Sequence, residues 1–291
     1  MKLAIASCIK IQDTPSQPVW QQIQAEQPDA LLLLGDTVYL DHNHHNDPAA
    51  LRDELLALYA AQCAEPHFAA LLQDLQARGG QLMAIYDDHD FMGNNRYGGD
   101  HSPALRQAAR DAFVQTFAPA RTGSDIYHLY RLGRVDVALL DARFYRQCPA
   151  VSSSDRDAVL GPAQWAWLEQ ALQASQAPYF AVASSTTFHT FGDESWEQYP
   201  AAFARLAGLL RQRTGALVLS GDVHRNAVYD DSGVIEIVCS AVARKGLLWG
   251  SVRQNYGLLS FDEQQLQVAL RSLKVGWRFD FAIQLSHWAL P

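Results

Sequence analysis

Ala216-Leu217-Val218-Leu219-Ser220-Gly221-Asp222-Val223-His224 is a short apolar run closed by a glycine, an aspartate and, two positions on, a histidine. Four successive apolar residues fit a strand buried on both faces, and the glycine lets the chain turn tightly behind it. A carboxylate and an imidazole carried together at a rigid strand end suit metal binding or acid–base chemistry. Two earlier runs end in similar cargo: Leu31-Leu32-Leu33-Leu34-Gly35-Asp36-Thr37-Val38-Tyr39 and Met83-Ala84-Ile85-Tyr86-Asp87-Asp88-His89-Asp90. Any one such carboxylate more often caps a helix or anchors a loop. Three of them, each beside a tyrosine or histidine, read as one site built at one edge of a sheet.

Outward from these stretches, the chain alternates strand and helix signals. Lys2–Ile9 reads as a first strand ending near Cys8, and Gln17–Gln27 as helical. Ala30–Leu34 reads as a strand, then Pro48–Cys63 and Pro66–Arg78 as helices with proline near each start. Gln81–Tyr86 is a strand and Ser102–Phe117 a helix with Ser102 as N-cap. Ile126–Leu132 and Val135–Leu140, joined by Gly133-Arg134, predict an antiparallel hairpin. Pro162–Ala174 and Pro200–Arg213 are helical, flanking a strand at Pro178–Ala183 that runs into Ser184-Ser185-Thr186-Thr187-Phe188-His189. After the opening stretch come short strands at Ala227–Tyr229, Val234–Ser240, Gly257–Phe261, Leu266–Leu270 and Trp277–Leu285. There is no linker and no repeat, so residues 1–291 are expected to form a single domain. Two mixed sheets packed face to face, with helices outside, would hold so many strands.

The 291 residues carry a formal net charge of −8, with 48% hydrophobic and 19% charged residues. That balance fits a globular chain with a sizeable core and argues against a stable nucleic-acid complex or membrane-surface binding. Cys8, Cys63, Cys148 and Cys239 lie far apart, which disfavours a zinc ribbon or a disulfide framework and favours a reducing compartment. Seven residues before Cys8 are too few for an export signal, and no apolar run approaches the roughly 18 residues of a membrane span, so a cytoplasmic protein is expected.

Aspartates can bridge two cations about 3.5–4 Å apart, a pair that suits hydrolysis of a phosphate ester by activating water and neutralising phosphoryl charge. The order Ser7-Cys8, Gly35-Asp36-x-x-Tyr39, Tyr86-Asp87-Asp88-His89-Asp90, Leu139-Leu140-Asp141-Ala142-Arg143 and Leu219-Ser220-Gly221-Asp222-Val223-His224 resembles the PhoD-like alkaline phosphatase D family, within the calcineurin-like metallophosphatase superfamily. Leu160-Gly161-x-x-Gln164-x-x-Trp167-Leu168, Ser184-Ser185, Ser195-Trp196-x-x-Tyr199-Pro200 and Asn255-Tyr256-Gly257 extend the match over nearly the whole chain. The resemblance implies a four-layer α/β/β/α sandwich and a metal-dependent phosphoesterase acting on monoesters, diesters or both, by in-line attack of a metal-bound hydroxide. It implies two or more metal ions, Fe(III) with Ca²⁺ favoured and zinc or manganese as alternatives, and a small phosphate ester as the partner.

Carried over by position, Cys8, Asp36, Tyr39 and Asp222 would surround the first metal, with Asp36 bridging. Asp88 and Asn94 or Asn95 would serve the second. Thiolate and phenolate donors suit Fe(III) and suit Mg²⁺ poorly. The alternative readings are core filler for Cys8 and a rim residue for Tyr39. His224 is either a ligand or a phosphate-facing proton donor, His89 a ligand or a support for one, and His189 either a ligand or a loop histidine. Asp87 and Asp90 are expected to anchor loops. Arg96, Arg143 and Arg146 are candidate phosphate clamps, Arg143 more as a brace of its strand end. Trp196 is a core or rim residue by default, and with Tyr199, in a family motif, is alternatively a wall of the leaving-group pocket; His42, His44 and His45 are expected to form a solvated loop at its mouth. The competing functions are a phosphodiesterase or nuclease acting on nucleotides, and a binding protein that keeps the fold without turnover. Oligomeric state is not encoded in any of these features.

Overall fold

The computed structural model describes residues 1–40, 46–118, 125–189, 194–231, 233–244, 254–273 and 278–288. His42, His44, His45 and Trp277 lie outside the described residues. The N-terminal half supplies β1 (Lys2–Ala6), α1 (Val19–Ala25), β2 (Ala30–Leu34), α2 (Pro48–Cys63), α3 (Pro66–Ala77), β3 (Gln81–Ile85) and α4 (Pro103–Phe117). Then follow β4 (His128–Leu132), β5 (Val135–Leu139), α5 (Pro149–Ser152), α6 (Gly161–Ala174), β6 (Tyr179–Ser184), α7 (Pro200–Arg211) and β7 (Ala216–Ser220). The chain closes with β8 (Ala227–Asp231), β9 (Val234–Val238), β10 (Asn255–Phe261), β11 (Gln265–Ser272) and β12 (Arg278–Gln284).

Helix starts follow their capping residues. Asp47 accepts from the Ala49 amide, Glu65 from Phe68 and Ser102 from Leu105, each with proline in the first turn. The strands form two six-stranded sheets, β12-β11-β10-β1-β2-β3 and β4-β5-β6-β7-β9-β8. β1, β2 and β3 are parallel to one another, as are β5, β6, β7 and β9, while the outer pairings are antiparallel.

The side-chain period of two sorts the Leu31–Leu34 run between two cores. Leu31 and Leu33 pack with Trp20, Leu55, Phe68 and Phe113 of the helices outside the first sheet. Leu32 and Leu34 face Val137, Ala181, Leu217 and Leu219 of the second sheet. A third cluster seats Trp165 and Leu168 of α6 and Leu206 and Leu210 of α7 on Val182 and Val218. Helices, sheet, sheet and helices therefore make four layers. Each fully buried leucine removes apolar surface worth roughly 2 kcal/mol, so a one-residue slip of β2 would exchange the two faces and is strongly disfavoured.

Among the described residues no single helix is long and apolar enough to cross a membrane.

Candidate metal centre

The parallel strands deliver their carboxyl ends to one edge of the sandwich, where the two sheets are tied together. Beyond β1, Ser7 O accepts from the amides of Ala241 and Val242, which follow β9. A Cβ on Gly221 would lie 2.6 Å from Ser7 Oγ and 2.9 Å from Leu34 O, so only glycine lets β7 approach the first sheet this closely. Gly35, at φ 92°, faces Asp87 and Ser185, and a Cβ there would sit 2.6 Å from that of Asp87. Cys8, Asp36, Asp222 and His224 all hold left-handed backbone, with φ of 59°, 53°, 71° and 53°. Such non-glycine conformations cost of order 1 kcal/mol each and cluster where a fold fixes functional side chains.

The strand ends bring their donors together. One ligand atom each from Cys8, Asp36 and His224 lies within 4.8 Å of the others, and the same holds for Asp36, Asp88 and His89. Asp36 belongs to both groups. Its Oδ2 accepts from Tyr39 Oη at 3.0 Å and from Cys8 Sγ at 3.4 Å. Its Oδ1 is buried with no hydrogen-bond donor among the described residues. Asp88 accepts from the amides of His89 at 2.8 Å and Asn95 at 2.7 Å, and the Tyr39 and His89 rings lie 4.1 Å apart. Ser240 Oγ lies 3.0 Å from Cys8 Sγ and accepts from the His224 amide.

The electrostatics of this cluster call for a cation. Burial, then the neighbouring Cys8 and Asp88 charges, push the Asp36 carboxyl well above its ordinary value. Burial likewise raises the Cys8 thiol and the Tyr39 phenol, and burial with Asp87, Asp88 and Glu194 raises Asp222. Asp87 is pushed up to about 6 by burial, against the pull of Arg143. Asp88 alone goes down: burial would raise it, and Arg143, His89 and the Asn95 amide outweigh that. His224 is lowered to about 4 by burial and by Arg244, so its imidazole is neutral. A buried set of acids reluctant to ionise, with a bare Asp36 oxygen among them, fits divalent or trivalent cations well.

The remaining expected residues take distinct places. Asp222 joins neither donor group: its carboxyl feels Asp87, Asp88 and Glu194, and its carbonyl takes the Cys8 thiol at 3.7 Å. Asn94 and Asn95 are exposed; Asn95 reaches Asp88 through its backbone amide, and the Asn94 side chain donates to Asn95 Oδ1. His189 is buried with Nδ1 2.9 Å from Glu236 Oε2, a carboxylate that also accepts from Ser220 and from the amides of Phe188 and His189. Asp90 anchors two loops by accepting from the amides of Asp87 and Thr37. Asp87 instead joins a buried network. Arg143 donates to it at 2.6 Å, to both oxygens of Glu194 at 2.8 Å, and lies 3.9 Å from Asp88. Arg143 is thus a brace, though on Asp87 and Glu194; the Asp141 carboxylate is taken by Tyr86 and Arg110. Arg146 is committed to Tyr199, Thr186 and the Glu194 carbonyl. Arg96 is half-buried, and its carbonyl lies 3.5 Å from Arg143 Nη1.

One of the alternative readings is corrected. Trp196 and Tyr199 do not wall a pocket: Trp196 is 1% exposed and packs with Trp165 and Phe188 in the outer core, its Nε1 donating to Ser184. Both rings bury large apolar area only where their polar atoms find partners, and α6 and α7 supply that setting. One residue that contacts the candidate centre escaped the sequence reading. Arg244 Nη1 donates to Tyr39 Oη at 3.0 Å and to His224 Nε2 at 2.6 Å. Its signal was its place four residues beyond Ser240, at the end of a further parallel strand.

Two sheets between helix layers, with carboxylates, a thiol and histidines gathered at the strand ends, define a metallophosphatase-like protein. The sequence model of PhoD-like phosphatases matches residues 3–272. The chain belongs to that family. A solved structure of PhoD superposes with a TM-score of 0.75 at 20% identity, covering 98% of this chain and 69% of that one. A dimetal phosphatase from Danio rerio gives a TM-score of 0.59 at 14% identity, covering 98% and 99%. GAP50, the anchor in the inner membrane complex of Plasmodium, gives 0.59 at 14% identity, covering 98% and 88%. These likenesses show the shared fold. No curated protein matches the chain in sequence.

Proposed function

We propose that the protein hydrolyses small phosphate esters, monoesters, diesters or both, at a centre of two metal ions held by the strand ends. The observation that carries this reading is Asp36, whose carboxylate belongs to both donor groups and keeps one buried oxygen unsatisfied. Cys8, Tyr39 and His224 would hold one ion with it; Asp88 and His89 would hold the other, with Asp222 facing them. Thiolate and phenolate donors favour Fe(III) at the first position; Ca²⁺ at the second would take the Asp36 and Asp88 oxygens, whereas His89 as a ligand there would favour zinc. When bound, the ions would supply an activated water and charge neutralisation at the phosphoryl oxygens.

The protein's own groups prepare that chemistry. Arg143 holds Asp87 and lies beside Asp88, which favours the ionised, ligating form of Asp88. His224 Nε2 accepts from Arg244, so the neutral ring carries its proton on Nδ1, and ligation of a metal at Nε2 would displace Arg244. Arg244 places a fixed guanidinium beside Tyr39 and His224, where an anionic phosphoryl group would be met by a planar fork of donors. Its seat is half-buried, so the interaction is stronger than one in bulk water.

Hydrolysis of a nitrophenyl monoester beside the bis-ester, with wild type and Asp36→Asn, tests the reading. The loaded wild type is expected to cleave at least one ester, and the variant to lose on the order of 10²–10⁴ in turnover while keeping its thermal midpoint within a few degrees. Turnover that survives both chelation and the substitution would overturn the assignment.

A further inference from the structure

A cavity of about 650 Å³ opens beside the candidate centre, and His224 belongs to both. It lies between β8 of the second sheet and the β11–β12 hairpin of the first. Asn255 lines it close to the centre, since Asn255 Oδ1 accepts from the amide of Ser240, whose hydroxyl contacts Cys8. Val228, Leu270 and Phe279 give it apolar wall, and Phe279 is 57% exposed. Phe281 lies 5.2 Å from the Phe279 ring, which steadies that surface. Arg225, an exposed arginine, lines the cavity, and no carboxylate does among the described lining residues, although the chain as a whole is acidic. Arg271 and Arg278 border it from the other face of their strands: they share a cross-strand row with Tyr256 on the helix side, where Arg271 is paired with Asp280.

Resting on the phosphoesterase reading, we infer that this cavity receives the leaving group of the substrate, an aromatic or apolar body that carries a second anionic group. The phosphoryl group would lie at the centre by His224, the apolar body against Phe279, Leu270 and Val228, and the second anion at Arg225. The volume is in the range of small-molecule sites and is generous for a one- or two-ring body. The arrangement makes the β11–β12 edge a specificity element.

The test uses three non-hydrolysable ligands titrated calorimetrically into the metal-loaded protein: methylphosphonate, naphthylmethylphosphonate and its ring-carboxylated form. Affinity is expected to rise about tenfold at each step of that series. Phe279→Ala should cost the two naphthyl ligands about tenfold, and Arg225→Gln should cost only the carboxylated one, about fivefold. Both residues are exposed, and unchanged far-ultraviolet spectra would show that the fold is kept. Equal affinity across the series, or losses shared equally by methylphosphonate, would overturn the inference while leaving the phosphoesterase reading intact. Failure of methylphosphonate and every ester to bind or react would overturn both.

Discussion

Asp36 is the side chain on which the proposed chemistry converges. It shares hydrogen bonds with Tyr39 and Cys8, belongs to both donor groups, and sits on left-handed backbone enforced by the Gly35 turn. Because burial raises Asp36, Asp222 and Asp87, the last to about 6, these carboxyls hold protons in the cation-free protein at pH values where an ordinary aspartate, at 3.8, has lost its own. The sign follows directly. A raised acid lowers folding stability as pH climbs from 3.8 towards the folded-state value, and a cation that selects the ionised form reverses the loss. Metal affinity should therefore increase with pH, and binding near pH 6 should release protons. Calorimetric titration in two buffers of different protonation heat would measure that release; a value of zero would contradict the assignment. His224, already neutral above about 4, contributes nothing to it.

At the scale of elements, two devices set the edge of the sandwich. Gly35→Ala would drive a methyl group into Asp87 at 2.6 Å on backbone that disfavours alanine. A destabilisation of roughly 2–4 kcal/mol is expected, with loss of metal binding, measurable by denaturant unfolding and metal titration. Away from the centre, Glu65 caps α3 and also accepts from Gln17 and His67. Burial alone would raise its carboxyl; the hydrogen bonds from His67, Phe68 and Gln17 outweigh burial and leave it below its ordinary 4.5. Its contribution is thus present above pH 4.5 and lost as pH falls through the lower folded value. Glu65→Gln should cost about 1 kcal/mol at pH 7 and flatten the acid limb of a stability–pH curve. Such caps, the Leu31–Leu34 run and the prolines at helix starts act locally, which is why most elements were legible from the sequence within a few residues. Partnerships across the fold were not. Arg143 meets Glu194 from 51 positions away and Arg244 meets Tyr39 from 205, distances that only tertiary packing closes. Trp196 was undecided for the same reason: an aromatic ring reads alike at a pocket wall and in a core, and the neighbours that decide lie on α6 and α7.

For the molecule as a whole, the four layers exist to bring the ends of two parallel strand sets to one edge. The first sheet contributes Cys8, Asp36 and Asp88; the second contributes Asp222, His224 and, through the segment after β9, Ser240 and Arg244. The sequence order of strand-end motifs was enough to anticipate both the sandwich and its family, since each motif sits immediately after a short buried run. The walls around the centre were opaque, because they come from edge strands whose alternation says nothing about what they face across a cavity. The central claim, that these strand ends form a two-metal centre joined by Asp36, is tested most directly by elemental analysis of the purified protein beside its Asp36→Asn variant. About two metal ions per chain are expected in the wild type and less than one in the variant. A wild type that retains no metal after saturation and dialysis, or a variant that keeps the full complement, would contradict the account.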